Sequence, residues 1–380
     1  MKNEVKEKVV TITFLVFVFG LFLINILKAP TEISTSERRK LAQFPEVTLE
    51  KIGNTKFMSE FASYAVDQFV WRDEFRSIKA SFLFDVLKQK DNNGIYIVDG
   101  HASKMLAEIK EKELTQTVKN LNKLYSTMLS KSNVYYSIIP DKNYFLAEEN
   151  GYPHMDYDKF IQIVKSNINK NMEYIDIVGN LSEADYYTTD IHWGQEHLSE
   201  VVNTILSAMN EGYDKNTVNN YDIKELYPFY GTYYGQSALP LQADTLKYLT
   251  NEEMEKVVVK ILDENALAEN KVEFKESTMY NTAEFTSIDP YNVYLSGPKA
   301  LITLENPNAN TNKELVIFRD SFGSSLAPLL TSEYSKITLV DLRYIASPLV
   351  KNLVTFNKNQ DVLIIYSTEV LNNGSILKIM

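Results

Sequence analysis

Between Lys8 and Lys28 the chain runs through nineteen consecutive uncharged residues, VVTITFLVFVFGLFLINIL. At 1.5 Å per residue a helix of that length measures roughly 28 Å, enough to cross a hydrocarbon core of about 30 Å. The segment constrains everything after it, because a chain that enters a membrane here delivers its remainder to one side. A cleaved signal peptide is the competing reading. The apolar part of such a peptide is only about 7–15 residues long, and Leu27-Lys28-Ala29-Pro30 lacks the A-x-A pattern of a cleavage site, so a retained anchor is expected. Lys2, Lys6 and Lys8 precede the run, and Lys28, Arg38, Arg39 and Lys40 come after it, which leaves the positive-inside count nearly balanced. A short basic head before a single anchor favours N-inside, with the rest outside the cytoplasm.

Composition narrows what the remainder can do. The 380 residues carry 39 Lys+Arg against 50 Asp+Glu, a net charge of −11. A general nucleic-acid binder needs a basic footprint to neutralise phosphates, so nucleic acid is not an expected partner. The 352 residues after Lys28 carry 35 basic against 48 acidic residues, −13, and an acidic domain of this kind should stand off an anionic membrane surface rather than lie flat on it. There is no cysteine, which removes disulfide frameworks, thiolate metal sites and a Cys nucleophile. Any histidine-dependent mechanism must use His101, His154, His192 or His197. No metal or cofactor is expected: a lone Asp/His pair is too small for a structural metal site, and no Gly-rich phosphate loop is present.

Along the chain, residues 31–47 read as a polar linker or arm. Phe57, Phe61, Ala65, Phe69, Phe75, Ile78 and Phe82 recur at three- and four-residue steps and predict helix over about 55–89. Ile95–Val98 before Asp99-Gly100 predicts a hairpin strand. Helices are expected over 110–130, 157–172 and 195–210, with strands at 134–140 and 175–178. Residues 211–300, rich in tyrosine and turns, read as a mixed β insertion. The alternation then returns, with strands at 314–318, 336–342 and 361–366 and helices near 321–330 and 346–355. This pattern predicts an α/β fold with a mainly parallel sheet flanked by helices. The expected organisation is a head and anchor over 1–28, a linker and helical arm over 29–90, and a main domain over 91–380.

Two segments carry chemistry. In Leu315–Gly323 a hydrophobic strand runs into an Asp320-Ser321-Phe322-Gly323 turn and then a helix. Ligands collect at the carboxyl ends of strands in open α/β sheets, and the N–H of Ser321 would sit at a helix start, suited to an oxyanion. Ser321 is therefore a candidate nucleophile; alternatively, Asp320 or Ser321 simply caps the helix. In Thr188–Gly194, Asp190 and His192 stand two apart, so an extended backbone would point both to one side. That pair matches a general base with its orienting carboxylate, or a structural histidine beside a chance aspartate. Trp193 could wall the same site. The other three histidines read as surface or packing residues.

Asp-x-His-Trp at 190–193 followed by Asp-Ser-Phe at 320–322 resembles the DHHW family of bacterial extracytoplasmic proteins. That family is similar to the SGNH-hydrolase-like alginate O-acetyltransferases of the AlgJ and AlgX type. Asp67–Phe69 with Trp71–Asp73, Phe75 and Arg76, then Pro140–Lys142, Phe229–Ser237 and Val340–Tyr344, resemble further family segments. The resemblance implies a membrane-anchored, extracytoplasmic O-acetyltransferase with a permuted SGNH-like order: Asp190 orienter, His192 base, Ser321 nucleophile. It implies a polysaccharide acceptor and a polytopic MBOAT-type acyltransferase as donor. On that reading Lys142 or Asn143 would add an oxyanion donor, and Tyr233, Tyr234, Gln236 and Tyr344 would contact sugar rings. An esterase using the same triad, and a non-catalytic scaffold of a polysaccharide-synthesis complex, are the alternatives. Two positions depart from the family pattern: Ile191 replaces the first His of DHHW, and Arg319 stands where a Gly usually precedes Asp-Ser.

Overall fold

The computed structural model describes residues 2–210, 212–214, 220–309 and 311–380. The chain divides into two compact units, Met1–Asn93 with Tyr234–Pro240, and Gly94–Tyr233 with Leu241–Met380.

The first unit begins with α1 (Lys2–Leu27), whose Val5–Leu27 stretch is long and apolar enough to cross a membrane. Next come a short antiparallel ladder of β1 (Ile33–Ser34) and β2 (Arg39–Lys40), then α2 (Leu49–Gly53), capped by the Thr48 hydroxyl. The helix expected over 55–89 forms in pieces: α3 (Lys56–Asp67), α4 (Arg72–Ser81) and a π-helical turn over Phe82–Val86. The break between α3 and α4 has a local cause. The Gln68 side chain donates to the Thr31 and Ala42 carbonyls at 2.8 and 3.0 Å and accepts the Thr31 N–H at 2.8 Å. Trp71 then takes a left-handed φ of 56°, unusual for a bulky residue. Arg39 grips Asp67 at 2.7 and 2.6 Å, and Arg72 and Arg76 both pair with Glu37. The 31–43 arm therefore covers the charged sides of α3 and α4.

The second unit opens on a hairpin of β3 (Ile95–Val98) and β4 (His101–Lys104), turned at Asp99 and Gly100 with φ of 48° and 84°. Next come α5 (Glu111–Leu124), β5 (Asn133–Ile139), α6 (Lys142–Leu146), α7 (Tyr157–Asn167), β6 (Met172–Tyr174) and α8 (Ser199–Met209). After them stand β7 (Asp222–Phe229), β8 (Asp244–Thr250), β9 (Val258–Leu262), β10 (Phe274–Ser277), β11 (Leu301–Glu305) and β12 (Glu314–Arg319). The chain finishes with α9 (Phe322–Leu326), β13 (Lys336–Val340), α10 (Ser347–Leu353), β14 (Asp361–Ser367) and α11 (Thr368–Asn372).

Eight strands form one sheet in the order β10-β9-β11-β13-β12-β14-β5-β6. The five from β13 to β6 are mutually parallel, and β11, β9 and β10 extend them antiparallel. This is the mainly parallel α/β sheet that the alternation predicted. The 211–300 stretch supplies β9 and β10 to its edge and a separate antiparallel pair, β7 with β8. The central strands are buried along nearly their whole length, and their side chains alternate between two cores, one on each face. Leu315, Ile317, Leu363 and Ile365 pack with Val201 and Ile205 of α8, whereas Val316, Phe318, Val362 and Ile364 pack with Val118 of α5 and Phe160 of α7.

Two expectations shift. The strand expected at 175–178 lies earlier, at Met172–Tyr174, because the Asp176 carboxylate accepts the Val178 N–H at 3.1 Å and turns the chain into a 3₁₀ turn. The helix expected to reach 172 stops at Asn167, where Ile168 becomes extended and Asn122 captures the Asn169 N–H at 2.7 Å. The strand order also marks the place where an open α/β sheet can hold chemistry. From β12 the chain moves to β13 on one side and returns to β14 on the other, so the carboxyl end of β12 is a topological switch point.

Candidate active site

Ser321 succeeds β12 at that switch point and opens α9. Its backbone is right-handed helical, φ −62° and ψ −26°, so the turn is unstrained. The turn is held from behind: the Asp320 carboxylate accepts the Phe322 N–H at 3.1 Å and the Ser367 N–H of β14 at 2.8 Å. Arg319, at the position where the resemblance has Gly, is fully buried. Its guanidinium donates to the Asp320 carbonyl at 3.2 Å and lies 3.7 Å from the Asp341 carboxylate. Its stem passes where a Cβ on Gly323 would stand, 2.7 Å from the Arg319 Cβ, so only glycine lets α9 start against this arginine.

The Ser321 Oγ lies 2.7 Å from His192 Nε2, and His192 Nδ1 lies 2.5 Å from Asp190 Oδ1. Asp190 is fully buried and His192 nearly so, while Ser321 is partly open. Asp190 and His192 do not meet by alternation along an extended strand. They sit in a series of bends, and the Asp190 Oδ1 also accepts the His192 backbone N–H at 3.1 Å. The other carboxylate oxygen accepts the Thr232 N–H at 2.7 Å. Bonds to a charged acceptor are the strong ones, so a carboxylate loaded with these donors is fixed in position.

The bends themselves are clamped. Asp244 of β8 accepts the N–H and hydroxyl of Thr188 at 2.8 and 2.7 Å and those of Thr189 at 2.8 and 2.5 Å. Tyr187 N–H bonds the His192 carbonyl at 3.1 Å, closing the loop on itself. Over the imidazole lies Tyr291, its ring parallel within 6° at a centroid distance of 3.8 Å. Its hydroxyl donates to Ser325 Oγ at 2.8 Å, which also receives the Trp193 indole N–H at 2.9 Å. Trp193 is thus a buried wall that packs edge-on against Phe322.

Asp244, Tyr291 and Ser325 carried no signal in the sequence, since each acts through a partner remote along the chain. Gly231 belongs with them. A Cβ there would come within 2.3 Å of Asp190 Cβ, and its N–H donates to Thr189 Oγ1 at 2.8 Å.

The remaining candidates distribute differently from expectation. Lys142 is not an oxyanion donor: buried in α6, its ammonium is spent on the Tyr187 and Thr188 carbonyls at 2.8 and 3.2 Å. Burial pushes it down to about 7, against the pull of Asp190 and Asp244. Asn143 is likewise committed, to the Tyr96 and Tyr157 hydroxyls at 3.1 and 3.3 Å. Tyr233 is 3 % exposed and packs with Ile95 and Ala102, so its ring cannot stack on a sugar. Tyr234 and Gln236 belong to the first unit. Tyr344 is exposed, with the Arg343 guanidinium 5.6 Å from its ring centre. His154 and His197 are exposed as expected; His101 is half-buried, and burial lowers its pKa.

The chain is similar to solved structures, and the fold is shared with the first two. A DHHW family protein from Eubacterium siraeum matches with a TM-score of 0.58 at 20% identity, over 75% of this chain and 95% of that one. Bacillus cereus PatB1, solved with a sulfonyl adduct, matches with a TM-score of 0.58 at 16% identity, over 73% of this chain and 95% of its own. The O-acetyltransferase domain of Pseudomonas putida AlgJ matches with a TM-score of 0.44 at 12% identity, over 73% and 92%. No protein-family model and no curated protein matches the chain. The architecture expected from the DHHW resemblance is the architecture observed.

Proposed function

We propose that this chain is a membrane-anchored O-acetyltransferase that moves an acetyl group through Ser321 onto a hydroxyl of an extracytoplasmic polysaccharide. The observation that carries the reading is the hydrogen-bonded line from Ser321 Oγ through His192 to Asp190, at 2.7 and 2.5 Å, at the carboxyl end of a central parallel strand. The motif resemblance and the fold shared with a DHHW family protein support it.

Ser321 Oγ attacks the donor's acetyl carbonyl while His192 Nε2 takes the hydroxyl proton. Asp190 keeps the Nδ1–H in place and stabilises the imidazolium that forms. The tetrahedral oxyanion is held by the backbone N–H of Ser321, since those of Phe322, Gly323 and Ser324 are already bonded within the turn. As it collapses, the bond to the donor's oxygen or sulfur breaks and His192 protonates that leaving group, leaving acetyl-Ser321. A sugar hydroxyl then gives its proton to His192 and attacks the ester. Ser321 leaves, recovering the proton, and the product is a sugar acetate. The MBOAT-type donor implied by the resemblance would present acetyl groups at the membrane into which α1 runs.

The test uses the full chain in detergent with p-nitrophenyl acetate and a neutral oligosaccharide. Wild type is expected to acetylate the Ser321 peptide and then the sugar, both read by mass spectrometry. Ser321→Ala and His192→Ala should each lose about 10³-fold or more in kcat, because triad members act as a unit. Acetate released with no sugar acetate at any acceptor concentration would favour the esterase. Full activity in both variants would dismiss the triad.

A further inference from the structure

We propose that the first unit carries a lipid-binding surface, in which the apolar sides of α3 and α4 lie in the headgroup–acyl boundary of the leaflet where α1 ends. The proposal rests on α1 being a retained span.

The charged sides of α3 and α4 are covered by the 31–43 arm; Phe44 packs on Phe57, Phe61 and Tyr64 of α3, and the remaining apolar side is exposed. Phe61 and Phe69 are each 37 % exposed, Trp71 53 %, Phe75 46 %, Ile78 65 % and Phe82 51 %. Phe75, Ile78 and Phe82 stand at i, i+3 and i+7 and so form one stripe. The Phe69 and Phe75 rings meet at 5.8 Å across the break, which joins the stripe to α3. A contiguous apolar face of this kind marks a surface that something covers.

Its position along α1 identifies the covering material. The Asn25 side chain accepts the Val70 N–H at 2.9 Å, and the Lys28 ammonium donates to the Gln68 carbonyl at 3.3 Å. These two bonds pin the α3–α4 joint beside the last turn of α1, where a span leaves hydrocarbon for headgroups. Trp71 comes directly after, at the depth where membrane proteins concentrate tryptophan and tyrosine. A cavity of about 640 Å³ opens between α1 and α3, lined by Val18, Leu21, Phe22, Phe44, Phe61 and Phe69 among others. Val18–Phe22 belongs to the span itself, so the cavity faces acyl chains and is apolar enough to hold one. The exposed Lys79 and Lys88 flank the face and can reach headgroup phosphates. Lipid therefore matches the face in chemistry and in depth.

The absence of cysteine makes the test direct, because single cysteines can be introduced without removing any. Nitroxide labels are placed at Ile78→Cys and Phe82→Cys in the full chain, reconstituted in phosphatidylcholine–phosphatidylglycerol vesicles. Leu15→Cys in the span and Lys112→Cys on exposed α5 serve as references. Accessibility to oxygen, which partitions into lipid, is compared with accessibility to a water-soluble nickel chelate. The oxygen-to-nickel ratio at both test sites is expected to exceed that at Lys112→Cys by about fivefold or more and to approach that at Leu15→Cys. A lipid-like ratio at Leu15→Cys with a water-like ratio at both test sites would overturn the interfacial surface and leave the anchor intact. A water-like ratio at Leu15→Cys would overturn the anchor, and this surface with it. Shielding of both test sites from oxygen and nickel alike would show that protein covers the face, and would also overturn the proposal.

Discussion

His192 shows how much a single residue depends on neighbours that do no chemistry. Its imidazole bonds Asp190 on one edge and Ser321 on the other, and its face is covered by Tyr291 at 3.8 Å. Parallel contact with an electron-rich ring suits the imidazolium that the proposed mechanism would form at each proton transfer, and the bond from Tyr291 to Ser325 fixes the ring relative to α9. Tyr291→Leu should therefore lower kcat by about 10- to 100-fold with little change in KM, because it loosens the base without touching the acceptor. Tyr291→Phe keeps the stack and should lose only a few-fold. Steady-state kinetics on both, beside their melting temperatures, separates this role from simple packing; equal losses in the two variants would argue against the stack.

Among the elements, the 187–193 loop and the β12–α9 turn decide whether the three groups meet. The loop contributes no regular structure of its own and is held by Asp244, Lys142 and the close approach of Gly231. Gly231→Ala would drive a methyl into the backbone of Asp190 and move the carboxylate off the imidazole. The expected result is a loss of about 1–3 kcal/mol in stability, as for other overpacked sites, together with at least a tenfold fall in kcat. Urea unfolding and the p-nitrophenyl acetate rate check the two effects; wild-type kinetics would mean the loop moves freely. The β12–α9 turn is built differently, from a buried arginine stem and a glycine that fits against it. Each device brings a backbone closer than a side chain would allow.

At the scale of the whole molecule, the buried Lys142 ties stability to pH. Its folded value, about 7, lies below the usual 10.5, so between those values the unfolded chain holds the proton and the folded chain does not. Stability should therefore rise with pH from about 7 to about 10.5, by roughly 5 kcal/mol if no other group intervenes, and show no slope from this residue below 7. Lys142→Met should abolish that rise. Urea midpoints measured across this range in both proteins test it, and parallel curves would refute it.

What the sequence determined by itself is local. The uncharged run of α1, the short apolar runs of the sheet strands, the three- and four-residue periodicity of the aromatic arm and the two polar segments around His192 and Ser321 are all patterns over a few neighbouring residues. The tertiary structure decided the rest. His192 and Ser321 are 129 residues apart, and no spacing rule joins them; the sheet order does, by bringing β12 to a switch point beside the clamped loop. The same holds for Tyr291 and Asp244, ordinary residues in a tyrosine-rich stretch until folding sets them against the site. Lys142 and Tyr233, expected to contact the oxyanion and the sugar, are buried supports instead, for one reason. Whether a polar or aromatic side chain faces water or the interior depends on what packs over it, and that is a property of the fold.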